Sequence, residues 1–388
     1  MTESGLFVGL MSGTSLDGID AVLVRIEGAT EEDFSWKLEA FTTTAYDSGR
    51  RRMLLEGLEH GTAEVLCRLN VTIGAWLAVA VQELCQSAGV ATTSVTAIGS
   101  HGQTVWHVPP SGLGPGATLQ LGDPATLAEQ TGAPIVSDFR SRDVAAGGHG
   151  APLVAGPDRL LFSSPKLSRA LQNLGGMANV TWLPPSTSSE PLLAFDTGPG
   201  VALIDEAVRL ATAGEQAFDV DGLWARRGTV DASLLGRLVQ DPFFASAPPK
   251  STGREHFGRG LVGSLTGGLT PGSDEQRWCD LIATLTMLTA RTIGDAYRNW
   301  VLPRGVDEVY LMGGGTHNPA LVQAIEDELA GVPLRRGGEL GVDPDVREAL
   351  AFAVLAWAHT HGVAGNVPSA TGASGSRVLG SFTPGAGR

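Results

Sequence analysis

The run Leu6-Phe7-Val8-Gly9-Leu10-Met11-Ser12-Gly13-Thr14-Ser15-Leu16-Asp17-Gly18-Ile19-Asp20-Ala21-Val22-Leu23-Val24-Arg25-Ile26 passes from an apolar segment through a small polar turn and back to an apolar one. Aliphatic residues on both sides of a Gly/Ser/Thr/Asp cluster predict strand, turn, strand. A Walker phosphate loop needs a lysine in the turn and a helix after it. Neither is present, so a P-loop ATPase is excluded. A second run repeats the order: Ala170-Leu171-Gln172-Asn173-Leu174 enters a turn at Gly175-Gly176, and Val180-Thr181-Trp182-Leu183 leaves it. Another pair follows in step. Ala97-Ile98-Gly99-Ser100-His101-Gly102-Gln103-Thr104 and Val309-Tyr310-Leu311-Met312-Gly313-Gly314-Gly315-Thr316 are each a short apolar strand ending in small residues. Long helical patterns precede both, around 63–87 and 280–300. A repeat this long is a duplicated α/β domain rather than a solenoid unit.

The 388 residues suffice for two such domains, and 43% hydrophobic content supplies their cores. A net charge of −14 without a dense Lys/Arg stretch argues against nucleic-acid or anionic-membrane surfaces. Phosphate can still be held locally, by turn amides. Cys67 and Cys85 fall on one helical pattern, roughly 27 Å apart at a helical rise, and no C-x-x-C exists. The cysteines therefore read as small apolar residues of a reducing compartment. The N-terminal stretch has no secretory pattern, and the longest helix-like apolar run, 349–358, is too short to span a bilayer. The expectation is a cytoplasmic protein.

Ordered motifs along the chain resemble the bacterial anhydro-N-acetylmuramic acid kinases. The resemblance rests on residues 9–20, Ser100-His101-Gly102-Gln103-Thr104, Asp138-Phe139-Arg140, residues 147–154 (Gly-Gly-His-Gly-Ala-Pro-Leu-Val) and residues 173–181 (Asn-Leu-Gly-Gly-Met-Ala-Asn-Val-Thr). Phe195-Asp196-Thr197-Gly198-Pro199-Gly200, residues 313–319, Glu348-Ala349 and residues 368–373 continue it. This chain has Val201 where the family pattern has Asn. The resemblance implies two similar RNase H-like α/β lobes around a central cleft, the architecture of actin-like ATPases and sugar kinases. The expected first lobe is 1–135, completed by 350–388 after a helix at 345–361 crosses back; the second is 136–349.

The resemblance also implies the chemistry. Water opens the internal bridge of the 1,6-anhydro sugar at its anomeric carbon, and the freed O6 takes the γ-phosphoryl of ATP, accompanied by Mg2+. Gly13, Thr14, Ser15, Leu16, Asp17, Gly18, Ile19 and Asp20 would cradle phosphate, since glycines let successive amides face anionic oxygens; a plain hairpin is the alternative. Gly175 and Gly176 would form the opposing turn, and Gly313, Gly314 and Gly315 would pack against adenosine. Asp196 is the candidate general base, read at a strand end beside the N-terminus of a helix at 201–210, whose dipole would favour the ionised form; an N-cap role is the alternative. Asp138 and Asp143 are rivals for the base, although arginines paired with them would suit them better to a structural or binding role. Arg140 would grip the lactyl carboxylate of the substrate through its guanidinium fork, unless it pairs with Asp138 or Asp143. His101, Gln103, Thr104, Gly198 and Glu348 complete the expected sugar contacts, with a satisfied core histidine as the alternative for His101. No protein-built metal site is legible, and a homodimer is left open. Two other readings remain: a kinase for another amino sugar, and a nucleotide-dependent sugar sensor that has lost catalysis.

Overall fold

The computed structural model describes residues 4–13, 16, 18–110, 114–343 and 346–386, the side chain of Glu59 excepted. Thr14, Ser15 and Asp17 of the expected phosphate cradle lie outside the described residues. The chain divides into two compact units, Met1–Phe162 with Val346–Arg388, and Ser163–Asp345.

The first unit holds a seven-stranded sheet. Its strands are β1 (Ser4–Ser12), β2 (Gly18–Glu27), β3 (Ser35–Ala45), β4 (Ala97–Val108), β5 (Ala117–Leu121) and β6 (Ile135–Ser137). The seventh is Ser381–Thr383, antiparallel to β6. The order β3-β2-β1-β4-β6 has β2 antiparallel to both neighbours, and β1, β4 and β6 parallel. That is the RNase H-like sheet. Gly9 and Gly99 pair across β1 and β4, and a Cβ on either would stand 1.9 Å from the Ala349 carbonyl or 2.0 Å from that of Phe352. Only glycine there lets the helix Arg347–Thr360 lie directly on the sheet. The helix Ala63–Ser87 has the length and composition of a membrane span. Its Leu69, Ile73, Leu77, Val81 and Leu84, spaced three and four apart, are nevertheless buried in the unit's core.

The first unit extends past the expected boundary at 135/136, and its return begins before 350. Three interactions hold these stretches to it. The rings of Phe139 and Phe352 lie 5.6 Å apart. Asp143 is fully buried and accepts from the Gly150 N–H at 2.8 Å, Asn366 Nδ2 at 2.7 Å and Thr371 Oγ1 at 2.8 Å. Arg347 grips Asp158 through Nε at 3.0 Å and through Nη2, both side chains being buried.

The second unit contains β7 (Arg169–Leu174), β8 (Met177–Leu183), β9 (Leu193–Pro199), β10 (Glu308–Met312) and β11 (Leu334–Arg336). Their order, β11-β10-β7-β8-β9, repeats the parallel and antiparallel pattern of the first sheet. The duplication expected from the two strand–turn–strand runs is therefore present as two copies of one topology. The helix expected at 280–300 begins earlier, at Glu275, because Asp274 accepts the Arg277 N–H and caps it. Trp182, Phe195, Ile293, Val309 and Ile325 form the core beside the sheet.

Candidate active site

In the second unit the turn between β7 and β8 is pinned by its carbonyls. Gly200 and Ala202 donate their N–H groups to the Gly176 carbonyl at 2.9 and 3.1 Å, and Val201 donates to Gly175 at 2.9 Å. A Cβ on Gly200 would sit 1.9 Å from the Gly175 oxygen, so this contact depends on glycine. Gly315 packs against Leu174 and Val201, and Gly313, at φ 81°, approaches Asn173. The expected phosphate turn and the expected adenosine loop are thus neighbours, with Val201 between them. Gly314 has open space on its Cβ side.

Asp196 lies on β9 at a change of register. It pairs with Asn179 while Gly198 pairs with Ala178, leaving Thr197 as a bulge. The strand continues to Pro199 and the next helix starts at Ala202 with Val201 as its cap. Asp196 is therefore neither N-cap nor favoured by that helix end. Its charge is set instead by a loop that sequence reasoning did not single out, Lys250-Ser251-Thr252-Gly253-Arg254-Glu255. The Asp196 N–H donates to the Lys250 carbonyl at 3.1 Å, and the Thr252 N–H donates to Asp196 Oδ2 at 2.8 Å. Oδ1 has no partner among the described residues. Crowding by protein desolvates the carboxyl and pushes it up to about 7, against the Thr252 bond and the charge of Lys250. Lys250 is buried, donating to the carbonyls of Phe243 and Phe244 at 3.0 Å each, and burial lowers its ammonium to about 8. A partly exposed carboxylate with one free oxygen, ionising near neutrality, can accept a proton from water. The polar run between Pro249 and Phe257 was the available signal, but no periodicity ties it to β9.

Gly198 was expected on the substrate side. It is buried at φ 148°, where a Cβ would meet Phe244 at 2.9 Å and Thr292 at 3.1 Å. Its φ and its close neighbours are what the bulge in β9 requires of the backbone there.

In the first unit the candidate residues separate into groups. Leu16 and Ile19 are core side chains, so only their backbone could face a ligand; the Leu16 N–H closes a turn on the Gly13 carbonyl at 3.3 Å. Gly18 lies against the Thr44 carbonyl, and Asp20 accepts from Thr43 Oγ1 at 2.6 Å. Gln103 is buried and accepts from Ser12 Oγ at 2.7 Å, which lies 2.9 Å from the Tyr46 hydroxyl. Thr104 accepts from Gln120 at 3.3 Å.

Arg140 pairs with neither Asp138 nor Asp143. Its Nη1 donates to the Gly150 carbonyl at 2.6 Å, and its Nη2 and Nε face His101 Nε2 at 2.9 and 3.3 Å. His101 Nδ1 donates to the Gly102 carbonyl at 2.8 Å, so the ring is neutral and accepts from the arginine. Burial, then the charge of Arg140, hold its pKa down at about 3. Both ring nitrogens are occupied, which leaves neither for a sugar; His101 orients Arg140 instead. Burial lowers the guanidinium to about 10, and Glu348 counters that shift. A cation held by neutral acceptors, with an exposed carboxylate nearby, can chemically accommodate an anionic group and a hydroxyl.

No cluster of three or more His, Cys, Asp or Glu side chains suited to a metal occurs among the described residues. All three cysteines are free.

The sequence profile of the anhydro-N-acetylmuramic acid kinases matches residues 5–385. Proteins bearing that name extend the likeness along whole chains. The one from Caldanaerobacter subterraneus subsp. tengcongensis is 42% identical over 388 residues, covering 98% of this chain and 97% of its own. That from Gloeobacter violaceus is 44% identical over 382 residues, covering 98% of each. The Salinibacter ruber protein is 42% identical over 384 residues, covering 97% and 95%. With the profile and these relatives spanning nearly its whole length, this chain belongs to the anhydro-N-acetylmuramic acid kinase family.

Proposed function

We propose that the protein is an ATP-dependent kinase that hydrolytically opens 1,6-anhydro-N-acetylmuramic acid and phosphorylates O6, yielding N-acetylmuramic acid 6-phosphate and ADP. The observation that carries this is Asp196: one oxygen anchored by Thr252, the other unpartnered, ionising near 7. Water attacks C1 and gives its proton to Asp196. The C1–O6 bond breaks, O6 attacks the γ-phosphorus, and ADP leaves. Phosphoryl transfer then needs positioning and charge neutralisation rather than further covalent help.

In this reading the 13–20 turn, Gly175–Gly176 and Gly313–Gly315 take the nucleotide. Arg140 takes the lactyl carboxylate, oriented by His101, and Glu348 takes a sugar hydroxyl, with Gln103 and Thr104 nearby in sequence as further polar contacts. Mg2+ fits as a companion of the ATP phosphates, which with water supply the oxygens it prefers, because the described side chains offer no cage of their own. The reaction belongs to cytoplasmic recovery of cell-wall sugar. The test is one assay of ATP and the anhydro sugar in 18O-water. Label at C1 of a reducing 6-phosphate supports the reading; ADP formed with an intact anhydro bridge, or no reaction, refutes it.

A further inference from the structure

Arg254 is exposed and stands over the β7–β8 turn. A Cβ built on Gly176 would lie 3.3 Å from its Nη2, 3.7 Å from Nε and 3.9 Å from Cζ. Three guanidinium atoms at such similar distances mean that the flat group rests against the glycine. Among the described residues this guanidinium has no ion pair and no hydrogen bond. Asp205 is near enough for Arg254 to stabilise its charge, yet the larger effects on Asp205 are burial, which raises it to about 7, and Arg209. Beneath the guanidinium, the carbonyls of Gly175 and Gly176 are taken by Gly200, Val201 and Ala202, whereas neither glycine N–H is donated among the described residues. Unspent amides and an unpaired planar cation therefore meet at one half-buried turn. An anion with several oxygens satisfies both, the fork of an arginine matching phosphate geometry.

We propose that Arg254 is a phosphate-contacting residue, completing the Gly175–Gly176 turn as a receptor for the terminal phosphates of the nucleotide. The inference rests on the nucleotide reading of that turn given above. It also gives the 250–255 loop two tasks: Thr252 anchors the base, and Arg254, two residues on, neutralises phosphate charge. A Cβ at 176 would crowd the guanidinium by a few tenths of an ångström without striking backbone, and a larger side chain would compete with it for the turn.

Calorimetric titration of ATP, ADP and AMP into the wild type, R254A, R254K, G176A and R254A/G176A tests it. Losing a charge-assisted fork should weaken ATP binding about 10- to 100-fold, with AMP binding unchanged and melting temperature preserved. R254K should fall between, keeping charge without the fork. G176A should weaken ATP in the wild type but add little to R254A. Equal ATP affinity of R254A and wild type, or equal losses for ATP and AMP, overturns the proposal while the nucleotide reading stands. Failure of the wild type to bind ATP overturns both. Weakened binding of the anhydro sugar alone would assign Arg254 to the sugar and also overturn it.

Discussion

The Thr252 N–H reaches Oδ2 of Asp196 at 2.8 Å across 56 positions of sequence. One hydrogen bond thus anchors one carboxylate oxygen, while Oδ1 has no partner among the described residues. A carboxylate so held needs no helix dipole, and its ionisation is tuned by what surrounds β9 rather than by where a helix begins.

Activity should follow that ionisation. Because burial lifts Asp196 to about 7, kcat/KM should rise with pH through about 7 and level off above it. A pH–rate profile checks this, with D205N as control, since Asp205 ionises over the same range but should leave the acid limb in place.

Lys250 lowers the Asp196 pKa by its charge. K250M should therefore move the acid limb to higher pH, and K250R should leave it near the wild-type position. An unmoved limb in folded K250M would mean that Lys250 only secures the carbonyls of Phe243 and Phe244.

The same shift has a consequence for stability, and its sign can be stated. The native state binds a proton on Asp196 more tightly than the unfolded chain does. Its contribution is full below about pH 4 and is lost as pH rises through about 7. D196N should therefore gain stability relative to wild type as pH rises from 4 to 8, measured by denaturant midpoints at each pH.

Much of this was legible in sequence. The two strand–turn–strand runs marked both hairpins because apolar strands and glycine turns are local signals, and the long helical pattern around 63–87 coincides with the helix Ala63–Ser87, which the structure shows capped by Thr62. Asp196 was singled out for a helix end that it does not meet. A strand that runs on to Pro199 across a bulge looks, residue by residue, like a strand ending at a helix cap. The 250–255 loop and the capture of Arg140 by His101 depend on contacts between distant segments, and neither composition nor spacing carries them. The unit boundary was misplaced for the same cause: Asp143 is tied to Asn366 and Thr371, partners more than two hundred residues away.

The buried Arg347–Asp158 pair should be costly to break. R347M takes the arginine from a fully buried carboxylate, and loss of one partner of such a pair costs about 3–5 kcal/mol. Denaturant unfolding should show that loss, and the double change R347M/D158L should recover part of it.

Arg140 should act on binding. R140K retains charge but loses the fork held by His101, so KM for the anhydro sugar should rise about tenfold with kcat little changed. An anhydro amino sugar lacking the lactyl group should not register the substitution. Equal effects on both sugars would remove the carboxylate from the role of Arg140's ligand.

The central claim is that Asp196 takes the proton of the attacking water. Single-turnover formation of sugar phosphate by D196N, at matched folded concentration and saturating ATP and sugar, tests it directly, with D143N as a structural control. The amide keeps shape and can still accept the Thr252 N–H, so binding should persist while the chemical step slows about 10²- to 10⁴-fold; folded D143N should retain chemistry and lose stability. Near-native single-turnover rates in D196N, or a chemically dead but folded D143N, would place the base elsewhere and contradict the account.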